Sequence, residues 1–304
     1  PKLTESEVRG VKDAIKNIIS KELNIKYGEK KWTLNAEDLL SLIEISTNLK
    51  NENKLILSEH AFKELSDSIS FEVNTPPRGR VVSMEGTRVT EFKIVGEGKE
   101  MDIEKFKYDL ENSLFKNRED ITVTVNVVGE KGNIDKYGIV SLLGEGSSYF
   151  KGSAASRIHN IALSAKNTDG VLVAPGEVYS MNNFVGPIDA AHGFQPAYII
   201  KGGRTVLGEG GGVCQTSTTL FRAILNSGLP IVARYPHAYR VGYYEQDMPV
   251  GFDAAVFQPS WDFKFKNDTK AYVLVHSYVS TEESKITFKI YGTPDGRVVE
   301  ISKP

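Results

Sequence analysis

Apolar residues in the first part of the chain recur at helical spacing in three places. A capping box at residues 4–7 and the apolar positions behind it predict a helix over about residues 5–22. Asn35 can cap a second amphipathic helix, and residues 58–70 carry a third such pattern. The apolar positions of the second helix are Leu39, Leu42, Ile43 and Ile45.

Strand-like patterns follow these helices. Residues 80–84 and 88–95 read as two strands joined by a turn at Glu85 and Gly86. Asp102 can cap a further helix, whose apolar stripe consists of Ile103, Phe106, Leu110 and Leu114. Over residues 121–127, apolar residues alternate with threonine and asparagine, which predicts a half-buried strand.

The pattern changes near a glycine-bearing stretch at residues 129–146, which we take as the domain boundary. Residues 1–145 then form an α+β support or binding module. Residues 146–304 begin with a helix near residues 153–165 and continue in short strands rich in glycine, proline and aromatic residues. We therefore expect an α+β protein of two domains, the second of them strand-rich.

Composition and charge exclude two classes of function. The 37 Lys and Arg residues against 39 Asp and Glu give a net charge of -2, which offers no broad attraction for nucleic acid. Nor does any apolar run reach the roughly 20 residues that a membrane-spanning helix needs. Because the chain begins at Pro1, we expect a signal or membrane anchor upstream of it in the full-length protein.

The chemistry centres on Cys214, the single cysteine of the chain, which excludes an internal disulfide and a multi-cysteine metal site. We expect no metal and no cofactor. Three consecutive glycines, Gly210 to Gly212, precede it, and an apolar stripe at helical spacing follows until Gly228 stops the helix. Cys214 is therefore predicted at a helix N-terminus.

Two consequences follow from that placement. The helix N-terminus favours a thiolate, the reactive form of cysteine, and its free N–H groups, from about Gly212 to Gln215, can hold an oxyanion. The residues expected to contact a substrate here are Gly211, Gly212, Gln215, Thr216 and Ser217. The alternative is that Cys214 is a buried, inert side chain.

A thiolate nucleophile needs a histidine to move its proton. His237 is the preferred candidate among His159, His192, His237 and His276, because it follows the cysteine helix in a strand-like stretch. In that strand it would share a face with Tyr239, Val241 and Tyr243. Asp253 can orient the imidazole, although an aspartate after a glycine is often only a turn residue.

The segment Gly-Gly-Gly-Val-Cys-Gln-Thr-Ser-Thr-Thr-Leu-Phe at residues 210–221 resembles the signature of VanW-domain proteins. Further blocks agree in the same order, and together they cover about residues 146–290. They are Arg-Ile-His-Asn at 157–160, Ala-Pro-Gly-Glu-Val-Tyr-Ser-Met-Asn at 174–182, Pro-His at 236–237, Phe-Asp-Ala at 252–254 and Asp-Phe-Lys-Phe-Lys-Asn at 262–267. Residues 80–128 are similar, more weakly, to the peptidoglycan-binding module that precedes such domains.

The resemblance implies a bacterial cell-envelope protein, usually Gram-positive, on the extracellular face of the envelope. Its activity would be peptidoglycan L,D-transpeptidation through a cysteine acyl-enzyme, with Cys214 as nucleophile and His237 as acid and base. The sequence departs from the usual pattern at Tyr179, often phenylalanine, and at Ala238, often serine, so a hydroxyl near His237 would be missing.

The expected partners are peptidoglycan stem peptides, whose carboxylates suit an arginine fork. The candidate arginines are Arg157, Arg204 and Arg240. Water in place of an acceptor amine would make the protein an L,D-carboxypeptidase. Two alternatives remain open: a cysteine peptidase or amidase that cuts the stems, and a peptidoglycan-binding protein without catalysis.

Overall fold

The computed structural model describes residues 5–47, 53–129, 135–201 and 204–302 and confirms the predicted α+β class. The chain forms two compact units. Pro1–Pro76 and Gly98–Val128 make up the first unit, and Pro77–Glu97 and Gly129–Pro304 make up the second. The domain boundary expected between residues 145 and 146 does not coincide with the boundaries of these units, because Pro77–Glu97 and the segment that begins at Gly129 belong to the second unit.

The helices of the described residues alternate with strands along the chain. They are α1 (Glu5–Ile19), α2 (Ala36–Ser41), α3 (Glu59–Val73), α4 (Ile103–Phe115), α5 (Ala155–Thr168), α6 (Met181–Val185) and α7 (Val213–Ser227). Asn35 and Asp102 cap α2 and α4 through their side chains, as their positions predict. Thr4, the predicted cap of α1, lies outside the described residues.

The strands of the first unit are β1 (Leu23–Tyr27), β2 (Lys30–Leu34), β3 (Ile43–Thr47), β4 (Asn53–Leu57), β7 (Gly98–Met101), β8 (Ile121–Thr122) and β9 (Val125–Val128). Those of the second unit are β5 (Arg78–Glu85), β6 (Arg88–Gly96), β10 (Ser141–Tyr149), β11 (Val171–Val173), β12 (Val178–Ser180), β13 (Pro196–Lys201), β14 (Arg204–Glu209), β15 (Ile231–Ala233), β16 (Lys264–Lys266), β17 (Val273–Ser280) and β18 (Lys285–Gly292).

Two elements of the first unit differ from the sequence patterns. Ile43 and Ile45, assigned to the second helix, lie in β3, because this segment pairs antiparallel with β4 instead of continuing α2. The strand predicted at 121–127 is two strands with different partners: β8 pairs with β1, and β9 pairs with β7. Alternation alone cannot show that a run changes sheets, since both halves keep the same period.

A closed barrel organises the second unit. Its strand order is β10-β18-β17-β11-β5-β6, so the hairpin β5–β6 completes the barrel although it precedes most of this unit in sequence. Helix α7 packs along β10 and β18 within the main hydrophobic core, together with α5. The barrel therefore supplies the wall on which α7, and with it Cys214, is held.

Close approach of backbones holds α7 against β10. A Cβ on Gly146 would lie 2.4 Å from the amide nitrogen of Ala223 and 2.7 Å from the carbonyl oxygen of Thr219. One on Gly144 would lie 2.6 Å from the amide nitrogen of Ser227. Since these are backbone atoms of α7, they cannot move aside without moving the helix.

We expect Gly146→Ala to destabilise the second unit by about 1–3 kcal/mol, because overpacking against a fixed backbone forces α7 away from β10. Urea unfolding followed by circular dichroism measures the change. Gly242→Ala is the matched control, since a Cβ at Gly242 meets no atom within 4 Å in the structure. Equal stability of the two variants would contradict the close packing of α7 on β10.

Candidate active site

The three glycines before α7 are required by the local packing. Gly210 and Gly212 have φ values of 78° and 116°, a left-handed region that residues with a side chain rarely adopt. Gly211 has an ordinary φ, but a Cβ there would lie 2.6 Å from the carbonyl oxygen of Tyr198. The loop is thus packed tightly, and Cys214 becomes the second residue of α7, as predicted.

Asn160 of α5 fixes this loop from the other side. Its side-chain amide donates to the carbonyl oxygens of Gln195 and Gly211 at 2.8 and 3.0 Å, and its Oδ1 accepts from the Gln195 amide at 2.8 Å. The side chain is fully buried. The block at residues 157–160 therefore positions the helix start, a structural role that the sequence pattern did not reveal.

Cys214, His237 and Asp253 lie together. The Cys214 sulfur is 3.4 Å from the carbonyl oxygen of Val256 and also interacts with the His237 imidazole. His237 Nδ1 is 2.6 Å from Asp253 Oδ2, and the same oxygen accepts the backbone N–H of His237 at 2.8 Å. The order sulfur, imidazole, carboxylate is that of a nucleophile, its acid and base, and a residue that orients the base.

The charges of this row hold His237 in its protonated form. Burial lowers the pKa of His237, but hydrogen bonds and charge interactions with Asp253 and Cys214 outweigh that effect and raise it to about 9. Burial raises the pKa of Asp253, yet His237 and Arg234 bring it below its usual value. At neutral pH the pair is therefore an imidazolium beside a carboxylate.

The strand predicted around His237 is wrong. Strand β15 ends at Ala233, and beyond it only Tyr235 forms an isolated bridge, to Ala255, before the chain continues as a loop. Pro236 has no N–H for a ladder, and the backbone N–H of His237 is used by Asp253. The imidazole is thus directed by a carboxylate and not by strand alternation with Tyr239.

The other candidate histidines have partners of their own. His159 is 2.9 Å from the carbonyl oxygen of Gly193. His192 pairs with Asp189, and His276 with Asp169, at 2.7 and 2.8 Å. The geometry thus favours His237 over the other histidines as the partner of Cys214.

Two arginines that the sequence analysis did not single out position the site. Arg234 donates to the carbonyl oxygen and the carboxylate of Asp253 at 2.6 and 3.1 Å. Arg222 of α7 is almost fully buried, and it donates to Asp247 Oδ1 and to the carbonyl oxygens of Tyr244 and Phe252. Both side chains tie the loop that carries Asp253 to the rest of the domain.

The N–H groups at the start of α7 are partly used. Those of Val213 and Gln215 donate to the carbonyl oxygens of Gly210 and Gly212 at 3.0 and 2.9 Å. Those of Gly212 and Cys214 have no acceptor among the residues that the structure describes. The expected oxyanion donors from Gly212 to Gln215 therefore reduce to Gly212 and Cys214.

Three predicted substrate contacts have side chains that point into the protein. Gln215 donates to Ser148 and to the carbonyl oxygen of Tyr149. Thr216 pairs with the Ser164 hydroxyl at 2.7 Å, and Ser217 donates to the carbonyl oxygen of Ala254 at 2.6 Å. All three are fully buried, so their side chains dock α7 and are not available to a ligand.

Among the candidate arginines, Arg157 is the one beside the cysteine helix. Its guanidinium stacks on Tyr243 at 4.4 Å and donates to Ser153, and its carbonyl oxygen lies 2.9 Å from where a Cβ on Gly212 would be. Arg240 is largely exposed and forms a two-point ion pair with Glu245. Arg204 is exposed at the start of β14. The structure thus distinguishes the three arginines by their position relative to α7, which the sequence could not do.

Tyr244 is a neighbour of the site that the sequence analysis missed. Its ring centroid is 5.3 Å from that of His237, and it is buried. Burial and the charges of Cys214 and Asp253 raise its pKa, against the opposing effect of Arg157. The phenol therefore stays protonated, and the only sequence signal for it is the Tyr-Tyr pair that follows His237.

In the described ranges, no three His, Cys, Asp or Glu side chains are grouped as metal ligands would be. In the same ranges, no helix is long and apolar enough to cross a bilayer.

The second unit is thus an α+β domain that brings a cysteine at a helix start, a histidine and an aspartate into one row. Residues 156–291 match the family model described as VanW like protein, so this part of the chain is similar to VanW domains. Over 135 residues the chain is 42% identical to the uncharacterized protein YoaR of Bacillus subtilis (strain 168). These aligned residues make up 44% of this chain and 43% of YoaR.

A second relative shares the same region. The Vancomycin B-type resistance protein VanW of Enterococcus faecalis (strain ATCC 700802 / V583) is 28% identical over 137 residues, 45% of this chain and 49% of that protein. The chain thus spans about half the length of the curated relatives it matches. No solved structure matches the chain.

We expect His237 to titrate near pH 9 and to titrate at a lower pH in Asp253→Asn, because the asparagine removes a charge that raises the histidine pKa and leaves burial, which lowers it. NMR of labelled histidine measures both values. Asp189→Asn, next to the exposed His192, is the control that should leave His237 unchanged.

The same pKa shift predicts a pH dependence of stability. Because the folded-state pKa of His237 lies above the ordinary value of 6.5, its contribution is complete below about pH 6.5 and is lost as pH rises through 9. The loss should be smaller in Asp253→Asn. A His237 titration that Asp253→Asn does not move would show that the carboxylate does not control the imidazole.

Proposed function

We propose that this protein is a peptidoglycan L,D-transpeptidase that acts through an acyl-enzyme on Cys214. The observation that carries the proposal is the row formed by the Cys214 sulfur, the His237 imidazole and the Asp253 carboxylate. The match to the VanW family model and the vancomycin-resistance name of the Enterococcus relative support the proposal. The proposed site of action is the extracellular face of the cell envelope.

In the first step the Cys214 thiolate attacks the carbonyl carbon of the third residue of a stem tetrapeptide. A C–S bond forms, the C–N bond to the terminal D-alanine breaks, and His237 gives its proton to the departing amine. The free N–H groups of Gly212 and Cys214 are the proposed hydrogen-bond donors to the negative oxygen of the intermediate.

In the second step the side-chain amine of another stem attacks the thioester. A C–N bond forms between two third residues, the C–S bond breaks, and His237 takes the proton that the amine loses. The product is a 3-3 cross-link. Water in place of the amine gives a tripeptide and an L,D-carboxypeptidase activity by the same route.

We expect incubation with a purified disaccharide-tetrapeptide to add to Cys214 a mass equal to the substrate less one D-alanine. Intact-protein mass spectrometry measures the adduct, and chromatography measures the cross-linked dimer. Cys214→Ala should give neither product while its circular dichroism stays unchanged. Cross-linking by the folded Cys214→Ala protein would contradict the assignment of Cys214 as the nucleophile.

Variants of His237 and Asp253 can be compared in the same assay. His237→Ala should lower the rate roughly 10²- to 10⁴-fold, because it removes proton transfer, and Asp253→Asn should cost less. Release of tripeptide without a dimer would indicate a hydrolase. No adduct, together with a thiol that resists iodoacetamide, would indicate a non-catalytic binding protein instead.

Arg157 is proposed to bind the terminal carboxylate of the donor stem. Its backbone carbonyl and Cγ lie beside Gly212, and its guanidinium stacks on Tyr243 without a carboxylate partner among the described residues. We expect Arg157→Gln to raise KM about tenfold with a smaller change in kcat. Arg240→Gln is the matched control and should leave both constants unchanged. The assignment is wrong if Arg240→Gln has the larger effect on KM.

A further inference from the structure

Three aromatic side chains of the second unit are held together at the surface. Tyr235, Phe257 and Trp261, here called the aromatic cluster, are 38%, 47% and 42% exposed. The rings of Tyr235 and Trp261 are parallel within 10° with centroids 5.8 Å apart, and Phe257 meets Trp261 edge-on at 6.4 Å. Exposed apolar patches of this kind mark binding surfaces more often than scattered single residues do.

Backbone hydrogen bonds fix the aromatic cluster in place. Phe257 and Trp261 exchange two bonds of 2.9 and 2.8 Å, and the Ala255 amide donates to the Tyr235 carbonyl at 2.7 Å. The Asn182 side chain donates to the Trp261 carbonyl at 2.9 Å. The rings are thus arranged before any ligand arrives, which lowers the entropy cost of binding.

The backbone that carries the aromatic cluster passes beside the candidate nucleophile. The carbonyl oxygen of Val256 is 3.4 Å from the Cys214 sulfur, and Phe257 is the next residue. Standard backbone dimensions then place the Phe257 Cα within about 6 Å of the sulfur. Tyr235 precedes His237 by two residues.

The proposed substrate is long enough to reach from Cys214 to the aromatic cluster. Three residues separate the attacked carbonyl from the sugar that carries the stem, and an extended chain of three residues spans about 10 Å. A stem bound at Cys214 can therefore place its sugar at the aromatic cluster. A pyranose ring has a neutral face of C–H groups that fits flat tyrosine and tryptophan rings, whereas the carboxylates of the stem do not suit the negative faces of these rings.

We propose that the aromatic cluster is a saccharide-binding platform that stacks on the N-acetylhexosamine rings to which the stem peptide is attached. The identity of the saccharide rests on the proposed function. The platform would make the glycan-linked stem a better substrate than the free peptide, and its contribution would appear in KM.

The binding test uses the two tryptophans of the chain. Trp32→Phe leaves Trp261 as the single tryptophan, which is excited selectively over the tyrosines at long wavelength, and Cys214→Ala in the same protein prevents turnover. We expect a saturable change of emission with a peptide-free N-acetylhexosamine tetrasaccharide and none with the sugar-free tetrapeptide. A response to the peptide alone would overturn the proposal, as would concentration-dependent dimerisation in sedimentation that Trp261→Ala abolishes.

The kinetic test compares two substrates. Trp261→Ala should raise KM for the disaccharide-tetrapeptide roughly tenfold and leave KM for the free tetrapeptide unchanged, and Trp261→Phe, which keeps a flat ring, should lie nearer the wild type. Tyr278→Ala removes an exposed ring from β17 and is the control for folding. Equal losses on both substrates would refute a sugar contact.

The two proposals fail separately. Saccharide binding without an acyl adduct on Cys214 would support the platform and refute the transpeptidase. An adduct without saccharide binding would do the reverse.

Discussion

The burial of the polar first turns of α7 is the constraint on which the domain depends. A buried hydroxyl without a partner costs about 1–3 kcal/mol, so each one along this helix must meet a matching group. Thr216 meets Ser164 of α5, and Thr219 meets Ser148 of β10. These bonds fix the rotation of α7 about its axis and its position along that axis. The rotation determines the direction in which Cys214 points.

The same logic extends to the loop opposite the helix. Ser217 and Thr218 both bond to Ala254, so the residue after Asp253 is fixed to α7 by the turn that also carries Cys214. Arg222, one turn further along, holds the preceding part of the loop. The nucleophile and the carboxylate are therefore both positioned by one helix, although they lie far apart in sequence. His237 is bound to the carboxylate by two hydrogen bonds, one from its backbone N–H and one from its imidazole.

Local sequence signals predicted the start of α7. They failed for residues whose position depends on tertiary contacts. The glycines before Cys214 and Gly228 behind it fix the ends of α7 by backbone chemistry alone, and the sequence shows both. The inward direction of Gln215 and the loop around His237 depend on partners distant in sequence, Ser148 and Asp253, which no local pattern names. Helical spacing marked the apolar stripe of α7 but could not show that the polar face is buried as well.

The raised pKa of His237 suits both halves of the proposed reaction. While Cys214 is free, its interaction with the imidazole helps to keep the proton on His237, where it is ready for the departing amine. Once the sulfur is part of a thioester, that contribution is gone, and burial then lowers the histidine pKa against Asp253 alone. The imidazole thus becomes easier to hold neutral when the next step needs a base for the attacking amine. Acylation of Cys214 would therefore by itself lower the pKa of His237, without any movement of the loop that carries the histidine.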